Sequence, residues 1–353
     1  MRIGMVAPPW IQVPPPAYGG TEAVIDALAR GLSRLGHEVI LAAAAGSPCP
    51  VEIFPASQAD SAGEIGDMQQ ELRHVARSYA LLLERGVDVV HDHTQAGMEY
   101  TRDVVGVPIA LTMHGPFLPA VQDALQVTSE RIAVVAISHH QAETAGAVRV
   151  SRVIHHGIDV DEIDAGTGEG GYLVFLGRIT PDKGVREAIE VAARAGIPLQ
   201  IAAKMRERAE QEYFADTIRP LLSSRVQYLG EVTHDEKVEL LRGAVALINP
   251  IQWPEPFGMV MIEAMAAGTP VLATPRGSAP EIVVNGVTGY LEATVDGLAR
   301  VASGVGQLDR VRIRRHVQEH FSMDRMAGEY AQLFESLTAD RDGDSAPAEL
   351  ATS

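Results

Sequence analysis

The chain has 353 residues, more than one typical domain, and its composition of 46% hydrophobic and 21% charged residues supplies apolar material for two packed cores. Its formal charge of −17 argues against nucleic acid or an anionic membrane as the bulk partner, because both require a basic surface. A lone cysteine, Cys49, excludes an intrachain disulfide, and the opening apolar run is too short for a signal peptide or a membrane span.

A cytoplasmic protein without an integral membrane segment is therefore expected, with peripheral membrane contact left open. Of 29 cationic residues only Lys183, Lys204 and Lys237 are lysines. That arginine excess reads as genomic base composition and carries no function by itself.

Short β-branched runs separated by helical stretches occur at 3–6, 38–41, 87–91, 109–112, 134–137 and 152–154. A second series follows at 172–176, 199–202, 226–229, 245–248, 271–273 and 290–291. Their near-continuous apolar character predicts parallel strands buried on both faces, hence an α/β fold of two doubly wound sheets. Ligands in such sheets bind beyond the carboxyl ends of the strands, so each strand end is a candidate site.

The first strand leads into Pro14-Pro-Pro-Ala-Tyr18-Gly19-Gly20-Thr21-Glu22 and a helix over 23–35. Thr21 is a candidate N-cap, and the paired glycines permit close approach of an anion; a plain capped loop is the alternative. His91-Asp92-His93 ends a strand with both imidazoles on one face. A metal pair is conceivable there, but no further ligand cluster accompanies it, and we expect no metal. Asp92 and His93 instead read as lining an acceptor cleft. Ser138-His139-His140 reads equally as a cleft edge or a helix cap.

The acidic, glycine-rich run from Gly157 to Gly171 reads as an interdomain linker. Beyond it, Gly177-Arg178-Ile-Thr-Pro-Asp-Lys183-Gly184 delivers an arginine from a strand and a lysine from the following turn. Two fixed cations at a helix start suit a diphosphate, since charge-assisted hydrogen bonds contribute about 1.5–3 kcal/mol each. The alternative is a surface arginine with a capping turn.

In Trp253-Pro-Glu255-Pro256-Phe257-Gly258-Met259-Val260-Met-Ile-Glu263, Pro256 biases Glu255 toward extended backbone, and a buried helix over 258–267 ends at Gly268. The free amides from Phe257 to Val260 suit an oxyanion. Glu255 and Glu263 cannot bind phosphate but can accept hydrogen bonds from sugar hydroxyls. Met326, Tyr330, Leu333, Phe334 and Leu337 follow the period of a final amphipathic helix.

Together, Glu255-x7-Glu263, Arg178 with Lys183, Gly19-Gly20, Met113-His114-Gly115 and Ala279-Pro-Glu281-Ile with Gly286-x-x-Gly289 resemble glycosyltransferase family 4, over about residues 1–337. The resemblance implies the GT-B fold, two Rossmann-like domains with mostly parallel sheets facing a central cleft, and a C-terminal helix returning to the N-terminal domain. The expected units are an acceptor-side domain 1–157, a linker 158–171, a nucleotide-sugar domain 172–320, a returning helix 321–338 and a disordered tail 339–353.

It further implies a retaining, metal-independent hexosyltransferase using a nucleotide diphosphate sugar of the UDP-glucose or GDP-mannose type, a hydroxylated acceptor and no cofactor. Arg178 and Lys183 would bind the diphosphate, Glu263 the ribose, and Glu255 the donor sugar. Phe257, Gly258, Met259 and Val260 would complete the site, the Gly19-Gly20 loop would close on the phosphate, and His114 would face the reacting sugar. Tyr18, Asp92, His93 and Ser138 are the acceptor-side candidates. At Val153-Ile-His155-His156-Gly157 many relatives carry Pro-Asn before the glycine, and no role is carried onto either histidine. A GT-B epimerase or hydrolase, and a non-catalytic sugar-nucleotide binder, are the alternatives.

Overall fold

Residues 1–17, 19–58, 65–100 and 105–344 are described by a computed structural model. The first sheet contains β1 (Arg2–Val6), β2 (Glu38–Ala44), β3 (Glu52–Ser57), β4 (Val89–Asp92), β5 (Ile109–Thr112), β6 (Ala133–Ala136) and β7 (Val150–Val153), in the order β3-β2-β1-β4-β5-β6-β7. The second contains β8 (Leu173–Arg178), β9 (Leu199–Lys204), β10 (Val226–Gly230), β11 (Ala246–Asn249), β12 (Val271–Ala273) and β13 (Gly289–Leu291), in the order β10-β9-β8-β11-β12-β13. All neighbouring pairs are parallel. Strand order reverses between β1 and β4 and between β8 and β11, where doubly wound sheets open a crevice.

The apolar runs become strands because helices cover both faces. Every residue of β4, β5, β6, β11 and β12 is buried. β3, which no sequence run anticipated, is an edge strand interrupted by Pro55, where the missing N–H is tolerated.

The chain crosses between domains twice, and the crossings lie side by side. Ile158 donates its N–H to the Phe321 carbonyl at 3.0 Å and accepts from the Met323 N–H at 2.8 Å. After the second crossing, helix Met323–Asp344 packs on helix Gly20–Arg34, burying Met326, Tyr330 and Phe334 among Ile25, Leu28 and Leu32. Gly31 permits the approach, since a side-chain carbon there would stand 2.7 Å from Cβ of Ala327.

The 158–171 segment is held on both sides: Asp159 is paired with Arg30 at 3.0 Å and Arg34 at 2.9 Å, and the amides of Gly166, Gly168 and Gly170 donate to Ala267, Arg242 and Gly243 carbonyls. Glycine allows this segment to lie flat on the second domain. The last helix does not stop at 338 but continues to Asp344; the rest of the expected tail lies outside the described residues.

Candidate donor site

Arg178 closes β8 directly beside Lys204 at the end of β9, so neighbouring parallel strands deliver two cations to the same level. The turn Pro181–Lys183 follows and is closed by Gly184 at φ 76°, a left-handed residue seated against the Pro250 carbonyl where a side chain would overlap. This docking sets the origin of the Lys183 side chain. Its ammonium pairs with Glu255 and lies 5.8 Å from the centre of the Trp253 ring.

Arg178 is oriented by Glu210 at 2.7 Å and Glu207 at 2.9 Å. Burial opposes charge on Glu210, but the Glu207 amide, the Arg178 guanidinium and the Arg206 amide hold its carboxyl below the usual range. Burial, then Arg206, push the Lys204 ammonium down from its ordinary value.

Glu255 precedes helix Met259–Ala266, whose N-cap is Gly258 at φ 89°. Gly258, Met259 and Val260 reach the cleft at the helix start, where first-turn amides lack carbonyl partners one turn back. Glu263, one turn in, accepts from Lys237 of helix His234–Gly243 at 2.6 Å. Phe257 is buried and packs edge-on against His156, with ring centres 5.0 Å apart.

The first domain forms the opposite wall. Gly19 is the N-cap of helix Gly20–Arg34, so Thr21 lies in the first turn and is not the cap. A side-chain carbon on Gly20 would stand 3.8 Å from Cγ of Met259 across the cleft. Beside the loop, Glu22 is buried and its carboxyl is pushed up by desolvation.

From the end of β5 comes His114, whose Nε2 is 2.9 Å from Nδ1 of His93; one ring donates and the other accepts. His156 stacks on the other side of His114 at 5.2 Å between centres. Burial depresses all three imidazoles, His114 to about 4, so His114 is neutral near pH 7. The Nδ1 atoms of His114 and His156 have no partner among the described residues.

These groups surround one cavity of about 1130 Å³. Gly19, Gly20, His114, Arg178, Lys183, Glu255, Phe257, Gly258, Met259, Val260 and Glu263 all line it. Lys204, Lys237 and Asn249 line it as well, although no motif had singled them out, and so does His156, to which no role had been assigned. All three lysines of the chain thus face one cavity.

The acceptor-side expectations fare differently. Asp92 is fully buried; its Oδ1 accepts from the amide and hydroxyl of Thr94, each at 2.7 Å, and burial raises its carboxyl to about 6. His93 sits behind His114, and Ser138 is buried as the N-cap of helix His139–Glu143, accepting from Gln141 at 3.0 Å. These three residues support the wall and do not line it. Tyr18 lies outside the described residues. His91 bonds Thr112 at 2.8 Å, which in turn meets the Tyr330 hydroxyl at 2.8 Å, so the strand-end histidines belong to a buried polar column.

Residues 18–162 match the family model "Glycosyltransferase Family 4", and residues 162–301 match "Glycosyl transferases group 1". The chain belongs to the family 4 type of glycosyltransferase, with the GT-B fold. It is 27% identical to the phosphatidyl-myo-inositol mannosyltransferase of Mycolicibacterium smegmatis over 88% of this chain and 86% of that protein. A glycogen synthase of Mycobacterium tuberculosis is 36% identical over 38% of this chain, an alignment that spans 33% of the synthase.

Among solved structures, AviGT4, a glycosyltransferase involved in avilamycin A biosynthesis, superposes with TM-score 0.77 at 27% identity, covering 96% of this chain and 98% of that one. Anabaena HepE, solved with UDP and glucose, shares the fold at TM-score 0.73 and 21% identity over 96% of this chain and 100% of its own. No described helix of this glycosyltransferase is long and apolar enough to cross a membrane.

Proposed function

We propose that the chain transfers a hexosyl group, with retention of configuration and without a metal, from a nucleotide diphosphate sugar of the UDP-glucose or GDP-mannose type to a hydroxyl acceptor in the cytoplasm. The observation that carries this reading is the placement of Arg178, Lys183, Lys204 and Lys237 with the Gly258–Val260 helix start around one cavity in an acidic protein.

Lys183 and Lys237 rest on Glu255 and Glu263. A bound diphosphate draws the ammonium of Lys183 to itself and frees Glu255 to accept from a sugar hydroxyl, while Glu263 accepts from the ribose. As the anomeric C–O bond to phosphate breaks, negative charge grows on the leaving diphosphate. Once in place on the bound donor, these cations and amides stabilise that charge without further rearrangement, and in many enzymes such preorganised stabilisation supplies most of the acceleration.

The acceptor oxygen bonds the anomeric carbon on the face the phosphate leaves, and its proton passes to the departing phosphate oxygen. This step needs no protein nucleophile. The neutral His114 donates or accepts a hydrogen bond toward the sugar.

Incubation of the purified chain with each donor, with and without EDTA and with hydroxylated acceptors, tests the reading. Expected are acceptor-dependent donor consumption, product of unchanged anomeric configuration, and equal rates in EDTA. A strict divalent-metal requirement or an inverted product would contradict the corresponding part. Donor consumed equally without acceptor would identify a hydrolase or epimerase, and binding without turnover a sugar-nucleotide sensor.

A further inference from the structure

We propose a second site, separate from the donor cavity, in which His139, His155 and Glu281 bind a divalent transition metal of the zinc class at the junction of the two domains. Each residue offers one ligand atom, and the three atoms lie within 4.8 Å of one another.

The three come from different parts of the fold. His139 begins helix His139–Glu143 of the first domain, His155 lies on the segment following β7 that leads to the first crossing, and Glu281 belongs to helix Ala279–Ile282 of the second domain. The rings of His139 and His155 are 5.7 Å apart and inclined at 80°, so they approach the common point from different directions.

Glu281 is held in place before any ion arrives. Its carboxylate accepts the backbone amides of His139 and His140, both at 2.8 Å, and Nε2 of His155 at 2.8 Å. Each carboxylate oxygen has two acceptor positions, so the amide bonds fix the group and leave capacity for a cation. On metal binding, His155 gives up its hydrogen bond to Glu281 and coordinates through Nε2 as the neutral imidazole whose proton sits on Nδ1.

A separate cavity of about 400 Å³ adjoins these residues, and none of the described residues lining it also lines the donor cavity. It gives water and the ion a route in. His316 and His320, one turn apart on helix Arg310–His320, also face it, and Nε2 of His316 is buried without a partner among the described residues. Arg325 lines this cavity too, but it is paired with Glu329 at 3.0 Å and bonded to the His155 and His156 carbonyls, so its charge is already engaged.

Two imidazoles and one carboxylate, with room for water, are the donor set of a zinc-type ion; magnesium and calcium prefer all-oxygen sites. The paired histidines near the crossing thereby divide their work: His156 faces the donor cavity and His155 the metal site. A bound ion ties the first domain to the second and holds the junction in one arrangement.

The test uses the untagged full chain, stripped with EDTA and titrated with Zn²⁺ by calorimetry, and with Co²⁺ by visible absorption. Expected are one saturable ion per chain, a raised thermal midpoint, and affinity weakened about tenfold or more in His139→Ala and in His155→Asn. His139 is exposed, so its replacement leaves the fold intact. Absence of saturable binding would overturn the site, as would binding that persists in both variants or is lost only in His316→Ala.

Discussion

Lys183 and Glu255 are paired across the donor cavity, the ammonium coming from the turn after β8 and the carboxylate from the segment before helix Met259–Ala266. On the proposed function, a donor diphosphate and this carboxylate compete for the same cation. Lys183→Ala removes the contact that grows strongest as the leaving group departs, so kcat/KM for the donor should fall by about 10²-fold or more. The thermal midpoint, followed by circular dichroism, should stay close to the parent's. Turnover unchanged in the purified variant would remove Lys183 from the site.

Glu263 reports on a different part of the donor. If its carboxylate accepts from the ribose, Glu263→Ala should weaken a ribonucleoside diphosphate about tenfold or more, the range of a hydrogen bond to a charged group. A 2′,3′-dideoxy analogue should bind parent and variant alike. Equal losses for both nucleotides, measured by calorimetry, would assign Glu263 to holding Lys237 in place.

Gly277 tests how tightly Glu255 must be positioned. It adopts φ 58° with its α-carbon against the Glu255 backbone, where a side chain would overlap the amide nitrogen and carbonyl oxygen. Gly277→Ala should shift the Glu255 segment and lower kcat by about tenfold or more, since misplacement of about 1 Å can cost 10²-fold. Wild-type kcat in this variant would show that the loop tolerates displacement without consequence for the chemistry.

His91, His93, His114 and His156 give the stability a pH dependence of definite sign. Burial lowers all four, to about 3 for His91 and about 4 for His114, below the unfolded value of about 6.5. Between those values the unfolded chain binds more protons, so stability is full above pH 6.5 and falls as the pH drops, by up to about 1.4 kcal/mol per unit for each group. Asp92, raised to about 6, works in the opposite direction as a single group. The thermal midpoint should therefore fall steadily from pH 7 to 5. A flat profile would mean that the column is hydrated in solution.

Much of the architecture was legible because the buried parallel strands are compact apolar runs, several of them bounded by glycine or proline. β3 was not, since an edge strand need not be apolar throughout and Pro55 argued against it. Arg178, Lys183, Glu255 and Glu263 could be found because backbone punctuation marks their strand ends and helix start. Lys204 and Lys237 come from a strand and a helix that carry no such marks, and only the folded chain shows that they converge. Asp92 and His93 end a strand whose alternation tells which face a side chain takes but not how deep in the wall it lies, whereas Ser138 takes the helix-cap alternative of its reading.

The helix Met323–Asp344 has a consequence for biosynthesis. Residues from Ile25 to Leu32, made early, complete their packing with Met326, Tyr330 and Phe334, made some three hundred residues later. During translation the first Rossmann-like unit thus leaves the ribosome with an apolar flank open until the final helix closes it, the kind of surface that chaperones bind. A ribosome stalled before residue 323 should present that flank to solvent, however well the seven strands beneath it have formed.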